Sequence, residues 1–332
     1  MLVDTSGRTL ATRFLGAERP LPFMLGPVGY LGLYAGHGEI LAARAAAAAG
    51  IPLALSTFSI ASLAALRAAT AGELQFQLYV LNDPAVRDEL IEAALAAGVT
   101  TLFLTVDTAV TSVRERDMRN GFRAVTRITP RLGASMLARP LWCLDMLHAG
   151  MPQCGAVAHR PEFGRGALEQ AGHLARRIDT RLSWSDVAWL RRRWPHRLVL
   201  KGILSVEDAH AAREAGADAI VVSNHGGRQL DGAPSTIAML PEIAQALEGS
   251  LEILIDSGFR RGADIVKALA LGASGVMLGR AYVYGLAAAG EAGVARIIAH
   301  LAEEVDLTLA LMGLTSIAEL KALGPAALRP RG

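Results

Sequence analysis

The chain has 332 residues, of which 52% are hydrophobic and 19% charged, and its formal net charge is +2. This composition excludes an intrinsically disordered protein, because it supplies enough apolar surface for a large buried core. The nearly balanced charge argues against a nucleic-acid-binding protein, which would carry an excess of Lys and Arg. We therefore expect one globular domain over residues 1–332 and no nucleic-acid partner.

Short apolar runs alternate with helical segments along the chain. Each run has the length and the continuous Leu/Ile/Val character of a buried parallel strand. Strict alternation of eight strands with helices predicts an α/β fold of the (β/α)8 TIM-barrel type, whereas a doubly wound sheet would show a Gly-rich first turn. The predicted strands are 22–28, 51–56, 74–80, 101–107, 197–201, 219–224, 251–256 and 275–279. The predicted helices are 39–49, 60–69, 84–97, 206–215, 236–247 and 263–271.

A long loop at 118–186, after the fourth strand, interrupts this alternation of strands and helices. It carries apolar residues at Leu141-Trp142, Met146-Leu147 and Met151. An insertion of this length in a compact domain is usually functional or disordered. Two interpretations remain open, a lid over the barrel mouth and a segment that lies on a membrane surface.

The sequence contains no recognisable targeting signal and no metal-binding pattern. The N-terminus has no signal-peptide pattern, and charged residues, Pro or His interrupt every run long enough to cross a membrane. Cys143 and Cys154 lack partners at zinc-ligand spacing, so we expect free thiols in a reducing compartment and no metal site. These features predict a cytoplasmic protein, with peripheral contact on the inner face of the cell membrane as the further alternative.

Polar side chains recur where the predicted strands end. The carboxyl ends of barrel strands face the active site, so these residues predict a large polar ligand over the barrel. Two Gly-rich turns, at 256–262 and 278–280, follow the last two strands, which is the usual phosphate-binding place in this fold. The sequence therefore indicates a phosphate-bearing cofactor. The strand-end set is Ser56, Gln77, Tyr79, Thr105, Asp107, Lys201, Ser223, His225, Asp256 and Arg280.

The segment 223–231 combines a histidine, a Gly-Gly pair and an arginine. The glycines allow close approach of the backbone to a ligand beside His225. Arg228 offers a planar fork for a carboxylate. Arg114 could supply a second fork from the start of the long loop, and Arg116 competes with it on spacing alone.

With these motifs the chain resembles the FMN-dependent α-hydroxy-acid oxidase/dehydrogenase family. The resemblance covers nearly the whole chain except the long loop, and 254–262 and 264–273 are most similar to mandelate-oxidising members. The matching motifs are Gln77-Leu78-Tyr79-Val80, Thr105-Val106-Asp107, Arg114-Glu115-Arg116-Asp117, Leu200-Lys201-Gly202, the run 223–231 and the run 256–262.

The resemblance implies oxidation of an (S)-2-hydroxy acid, mandelate-like or lactate, to the 2-oxo acid. Electrons would pass from the flavin to a membrane quinone or another acceptor. His225 would be the base, and Asp107 would hold its imidazole and stabilise the imidazolium. Lys201 would lie at the N1/O2 edge of the flavin, where its charge favours the reduced ring. The substrate would be bound by Tyr79, Arg114 and Arg228.

The resemblance also implies which residues hold FMN. Three would lie along the ring, others would contact its polar edge, and the two Gly-rich turns would hold its phosphate. The ring residues are Pro27, Val28 and Gly29, the polar-edge residues are Ser56, Gln77, Thr105, Lys201 and Ser223, and the phosphate residues are Asp256, Ser257, Gly258, Phe259, Arg260, Gly279 and Arg280.

Two alternatives to this dehydrogenase accompany the resemblance. An O2-using oxidase of lactate or glycolate is one, although Gly29, where many oxidases carry Ala, and the apolar long loop favour a dehydrogenase. The other is an FMN-binding protein without turnover, because the family normally begins with a further segment that supplies a second substrate tyrosine, whereas this chain opens at Val3-Asp4-Thr5-Ser6. The family also implies a homo-oligomer, a tetramer.

Overall fold

A closed barrel of eight parallel strands forms the centre of the protein in a computed structural model, which describes residues 3–108, 110, 112, 115, 119 and 130–328. This barrel confirms the predicted (β/α)8 fold, and a strand lies on every predicted run. A two-stranded hairpin, β1 (Thr12–Phe14) and β2 (Ala17–Arg19), precedes the barrel. The barrel strands are β3 (Phe23–Leu25), β4 (Leu53–Ser56), β5 (Leu74–Leu78), β6 (Thr101–Thr105), β7 (Arg197–Ile203), β8 (Ala219–Val222), β9 (Glu252–Ile255) and β10 (Gly275–Leu278), and β10 pairs with β3 to close it.

Helices surround the barrel, and the six predicted ones agree with the structure to within three residues at each end. The hairpin, the helices inside the long loop and the two C-terminal helices were not predicted. The helices of the described residues are α1 (Gly38–Ala48), α2 (Leu63–Ala69), α3 (Pro84–Ala96), α4 (Pro130–Leu137), α5 (Pro140–Ala149), α6 (Ala167–Arg176), α7 (Trp184–Arg193), α8 (Val206–Glu214), α9 (Thr236–Leu247), α10 (Gly262–Ala270), α11 (Arg280–Met312, kinked at Ala289 and Gly290) and α12 (Ile317–Leu323).

The hairpin closes the amino end of the barrel. Phe14 and Leu15 are buried in one cluster with inward-facing residues of the strands, among them Met24 and Phe103. The backbone N–H of Leu15 donates a hydrogen bond to Oε1 of Glu252 at 2.8 Å. Because apolar side chains fill the interior and this end is covered, the carboxyl end of the barrel is where a ligand can bind.

Helix α5 of the long insertion packs against the loop that follows β3. The indole Nε1 of Trp142 donates to the carbonyl of Leu33 at 3.1 Å, and the N–H of Gly36 donates to Oδ2 of Asp145 at 2.6 Å. The opposite side of α5 is exposed and apolar. Among the described residues no helix is both long enough and apolar enough to cross a membrane. The two cysteines, in this insertion, are free thiols as predicted.

Candidate active site

A histidine–aspartate pair lies at the carboxyl end of the barrel. Asp107 follows β6 and His225 follows β8, and Nδ1 of His225 lies 2.9 Å from Oδ1 of Asp107. The hydroxyl of Thr108 donates to the same oxygen at 2.9 Å. A proton on Nδ1 satisfies this carboxylate and leaves the lone pair on Nε2, which is the arrangement that a general base requires.

Gly202 makes room for the aspartate. It lies where the pairing of β7 with β8 shifts register, and its φ of 117° falls in the region that favours glycine. A Cβ atom at this position would lie only 2.6 Å from Cβ of Asp107. A side chain at residue 202 would therefore displace Asp107 from His225.

The surroundings of Asp107 keep its carboxyl group ionised. Burial by itself raises the pKa of Asp107, but the hydrogen bond with His225 and the charge of Lys201 outweigh it and hold the pKa below 3.8. Its second oxygen, Oδ2, is buried and has no hydrogen-bond partner within the described part of the chain. The carboxylate can therefore stabilise a positive charge on the imidazole of His225.

The lowered pKa of Asp107 has a consequence for stability. An ionised group with a lowered pKa stabilises the folded state fully above its ordinary pKa, and this contribution is lost as the pH falls through the folded-state value. We expect the unfolding free energy of the parent protein to exceed that of Asp107→Asn from neutral pH down to about pH 4, and the difference to shrink only below it. Urea unfolding of both proteins at several pH values measures this difference. A difference that disappears already near pH 6 would contradict the lowered pKa.

Lys201 places a buried positive charge beside this pair. Its side chain is 6% exposed, and Nζ lies 2.8 Å from Oδ2 of Asp256. Nζ also donates to the hydroxyl of Ser223 at 2.9 Å. Burial alone would lower the pKa of Lys201, but the carboxylates of Asp256 and Asp107 outweigh it and raise the pKa above 10.5. The ammonium is therefore a permanent charge at the barrel mouth.

A row of hydrogen-bonding side chains continues from Lys201 across neighbouring strands. The hydroxyl of Ser56 donates to Oε1 of Gln77 at 3.0 Å, and Nε2 of Gln77 donates to the hydroxyl of Thr105 at 2.9 Å. These three side chains and Ser223 are all buried. Hydroxyl, amide and ammonium groups in one row fit the carbonyl oxygens and ring nitrogens at the polar edge of a flavin. The donor set thus agrees with the predicted cofactor.

The turn after β9 has the backbone form of an anion-binding loop. Ser257 and Gly258 have φ values of 77° and 90°, so successive N–H groups can point to one side. The carboxylate of Asp256 faces Lys201, and the ring of Phe259 is buried. The groups at this turn that suit a phosphate are therefore backbone N–H groups and the exposed Arg260.

The second predicted phosphate segment, Gly279-Arg280, adjoins the loop that carries the histidine. Nη2 of Arg280 donates to the carbonyl of Gly226 at 2.9 Å, and the N–H of Gly226 donates to the hydroxyl of Ser257. These contacts join the loops after β8, β9 and β10. The residues predicted to bind phosphate therefore lie together at one side of the barrel mouth.

An aromatic group borders the other side of the mouth, and Tyr79 is the one member of it that the sequence indicated. Phe58 lies between Tyr79 and Tyr30, with ring centroids 5.2 Å and 5.8 Å away. Phe58 follows Ser56 in a loop without a recognisable motif, so only its contacts across the fold reveal it. Pro27, Val28 and Gly29 follow β3 beside it, and a Cβ atom at residue 29 would lie 2.9 Å from Cβ of Phe58.

Of the two arginines predicted to bind a carboxylate, Arg228 lies within the described residues and Arg114 does not. Arg228 is exposed at the mouth, three residues beyond His225, and its carbonyl accepts a hydrogen bond from the hydroxyl of Ser112. Arg114 and its competitor Arg116 lie outside the described residues.

Comparison with known proteins gives consistent matches over almost the whole chain. Residues 1–325 match the family described as FMN-dependent dehydrogenase. An L-lactate dehydrogenase of Caulobacter vibrioides is 45% identical over 323 residues, which cover 96% of this chain and 84% of that protein. An L-lactate dehydrogenase of Pseudomonas aeruginosa is 43% identical, with 97% and 84% covered.

Solved structures give the same result. The monotopic membrane protein (S)-mandelate dehydrogenase superposes with a TM-score of 0.92 at 42% identity, covering 98% of this chain and 85% of that one. A mandelate oxidase variant with (S)-mandelic acid superposes with a TM-score of 0.80 at 36% identity, covering 97% and 83%.

Proposed function

This chain belongs to the FMN-dependent dehydrogenase family, and we propose that it oxidises an (S)-2-hydroxy acid, (S)-mandelate or L-lactate, to the 2-oxo acid. It is an oxidoreductase whose cofactor is FMN. The observation that carries the proposal is the His225–Asp107 pair, held beside the buried ammonium of Lys201 at the barrel mouth. An O2-using oxidase and an FMN-binding protein without turnover are not better supported by these relatives.

His225 acts as the base in this proposal. Its Nε2 takes a proton from the α-carbon or the α-hydroxyl of the substrate, and Asp107 stabilises the imidazolium that forms. Bound FMN supplies the acceptor for the electron pair of the substrate. Lys201 would hold the polar edge of the flavin together with Ser56, Gln77, Thr105 and Ser223, and its positive charge would favour the reduced ring.

The substrate carboxylate requires cationic groups at the mouth. Arg228 follows the histidine loop and can form a bidentate pair with a carboxylate, and Arg114 is proposed as the second arginine. The hydroxyl of Tyr79 is proposed to bind the carboxylate or the α-hydroxyl. These three groups and His225 would fix the orientation of the α-carbon, and thereby which enantiomer of the hydroxy acid is oxidised.

The aromatic group at the mouth favours a substrate with an aromatic side chain. An aromatic pair contributes about 0.5–1.5 kcal/mol beyond its buried area, which corresponds to roughly 2- to 10-fold in a rate ratio. In Phe58→Ala we expect the preference for (S)-mandelate over L-lactate in kcat/KM to fall by about this factor. Formation of each 2-oxo acid, measured with a soluble quinone as acceptor, tests both the function and this preference. Trp184→Ala, at a partly exposed site on α7, is the control and should leave the ratio unchanged.

We propose in addition that the protein contacts a membrane peripherally and passes electrons to a membrane quinone. Exposed apolar residues on and around α5 support this proposal, because patches of this kind mark interaction surfaces. The similar (S)-mandelate dehydrogenase is described as a monotopic membrane protein. We call these residues the apolar surface: Leu137, Leu141, Leu144, Leu147 and Met151, which are 54–81% exposed.

Charges on the apolar surface should prevent membrane contact. Burial of a leucine side chain contributes about 1.5–3 kcal/mol, so each replacement is worth roughly tenfold or more in partitioning. We expect Leu141→Glu/Leu147→Glu to bind phosphatidylglycerol-containing vesicles at least about 100-fold more weakly in a sedimentation assay. Leu311→Glu is a matched control, because Leu311 is 83% exposed but lies on α11. Equal binding by the parent and the double variant would refute this membrane surface.

A further inference from the structure

A cavity of about 660 Å³ lies outside the barrel, between α2 and α3. Leu55 and Phe76, on the outer face of the barrel, line it, and so do Ala68 of α2 and Ala93 of α3, whose exposure shows that the cavity opens to solvent between the two helices. Small-molecule sites typically measure roughly 300–1,000 Å³ and are mostly apolar with a few polar groups. The size and the lining of this cavity fit such a site.

Three titratable side chains, those of Arg67, Glu89 and His159, line the cavity. Nη2 of Arg67 donates to the carbonyl of Gly72 at 2.6 Å, but Nε of Arg67 is buried and has no hydrogen-bond partner among the residues described. Nε2 of His159 lies 2.6 Å from Oε1 of Glu89, and both residues line the cavity. A buried donor without a partner is costly unless a ligand or water accepts its hydrogen bond. Arg67 therefore points to a ligand with a hydrogen-bond acceptor.

The position of the cavity connects two regions of the molecule. Ser56, whose hydroxyl belongs to the hydrogen-bonding row of the proposed flavin site, also lines the cavity. At another side the cavity is bounded by Gly155, whose N–H donates to the carbonyl of Ser59 at 2.9 Å. Met151 of the apolar surface precedes Gly155 by only four residues, at most about 14 Å of chain. The cavity is thus bounded by one residue of the proposed flavin site and by another that is close in the chain to the apolar surface.

We propose that this cavity binds the ring of a membrane quinone, the electron acceptor of the enzyme. The proposal rests on the function proposed above. A quinone ring is flat and apolar and carries carbonyl oxygens, so it fits an open groove that is lined by alanines and by Arg67. Conversion of the hydroxy acid to the oxo acid releases two electrons and two protons, and the quinone takes up both pairs to become the quinol.

Variants that fill the cavity test this assignment. With ubiquinone-1 as the probe, Ala68→Leu and Ala93→Leu should raise KM for the quinone at least tenfold, and Arg67→Met should do the same by removing the donor. Anaerobic bleaching of the flavin by the hydroxy acid should keep its parental rate in all three variants. Ala65→Leu is the matched control, because Ala65 lies on α2 outside the lining and is exposed.

Binding of ubiquinone-1 to the holoenzyme, measured by calorimetry without substrate, separates this proposal from the proposed function. Weaker binding by the filled variants supports the cavity even if no hydroxy acid reduces the flavin. Unchanged binding and unchanged KM in all three variants would overturn it. A change in oligomer size in Ala68→Leu without a change in quinone binding would also overturn it, because the cavity would then be a subunit contact.

Discussion

Replacement of His225 by Gln should slow reduction of the bound flavin by the hydroxy acid about 10²- to 10⁴-fold while FMN stays bound. Glutamine can still form a hydrogen bond with Asp107, but it cannot accept a proton in the transition state. The hydrogen-bonding row of Ser56, Gln77 and Thr105 is untouched, so the cofactor site is preserved.

The rate is measured by mixing enzyme and substrate without oxygen and following the flavin absorbance. His159→Gln provides the control, because His159 also pairs with a carboxylate, that of Glu89, but lines the cavity between α2 and α3, outside the barrel. A parental reduction rate in the His225 variant would show that another group removes the proton.

Replacement of Lys201 by Met should lower the free energy of unfolding by about 3–5 kcal/mol, the usual cost of removing one partner of a buried ion pair. Methionine has a similar length but no charge, so the carboxylate of Asp256 would remain buried without its ammonium, and Asp107 would lose a neighbouring positive charge. We expect weaker FMN binding as well, because the row loses its charged donor.

Urea unfolding and flavin release measure the two effects. A raised lysine pKa stabilises the folded state below the ordinary value of 10.5, and this stabilisation is lost as the pH rises through the folded-state pKa. The difference between the parent and Lys201→Met should therefore stay constant from neutral pH to about pH 10. Lys267→Met, at an exposed site on α10, serves as the control. A cost below about 1 kcal/mol would contradict a buried pair in this site.

The barrel could be predicted because its strands are buried on both faces and read as continuous apolar runs. The same alternation places polar residues such as Gln77 and Lys201 at strand ends, so their gathering at one mouth followed from the sequence. The ion-pair partner of Lys201 could not be predicted in the same way. Asp256 was expected at the phosphate, yet its carboxylate faces Lys201, a contact between strand ends 55 residues apart.

Other features depend on contacts that no local pattern encodes. Gly202 matters because of its closeness to Asp107, and Phe58 matters because Tyr79 and Tyr30 lie beside it. Helix α5 of the insertion was not predicted, because it is stabilised by hydrogen bonds with Leu33 and Gly36, more than a hundred residues earlier in the chain. The roles proposed for the site residues, and the part of Arg114, remain predictions.

The central claim is that this protein transfers electrons from an (S)-2-hydroxy acid to bound FMN. The most direct measurement is an anaerobic titration of the holoenzyme with (S)-mandelate, L-lactate and (R)-mandelate while the flavin absorbance is recorded. We expect the two acids of S configuration to bleach the flavin, (S)-mandelate more rapidly, and (R)-mandelate to leave it oxidised. Flavin that stays oxidised with all three acids would contradict the account.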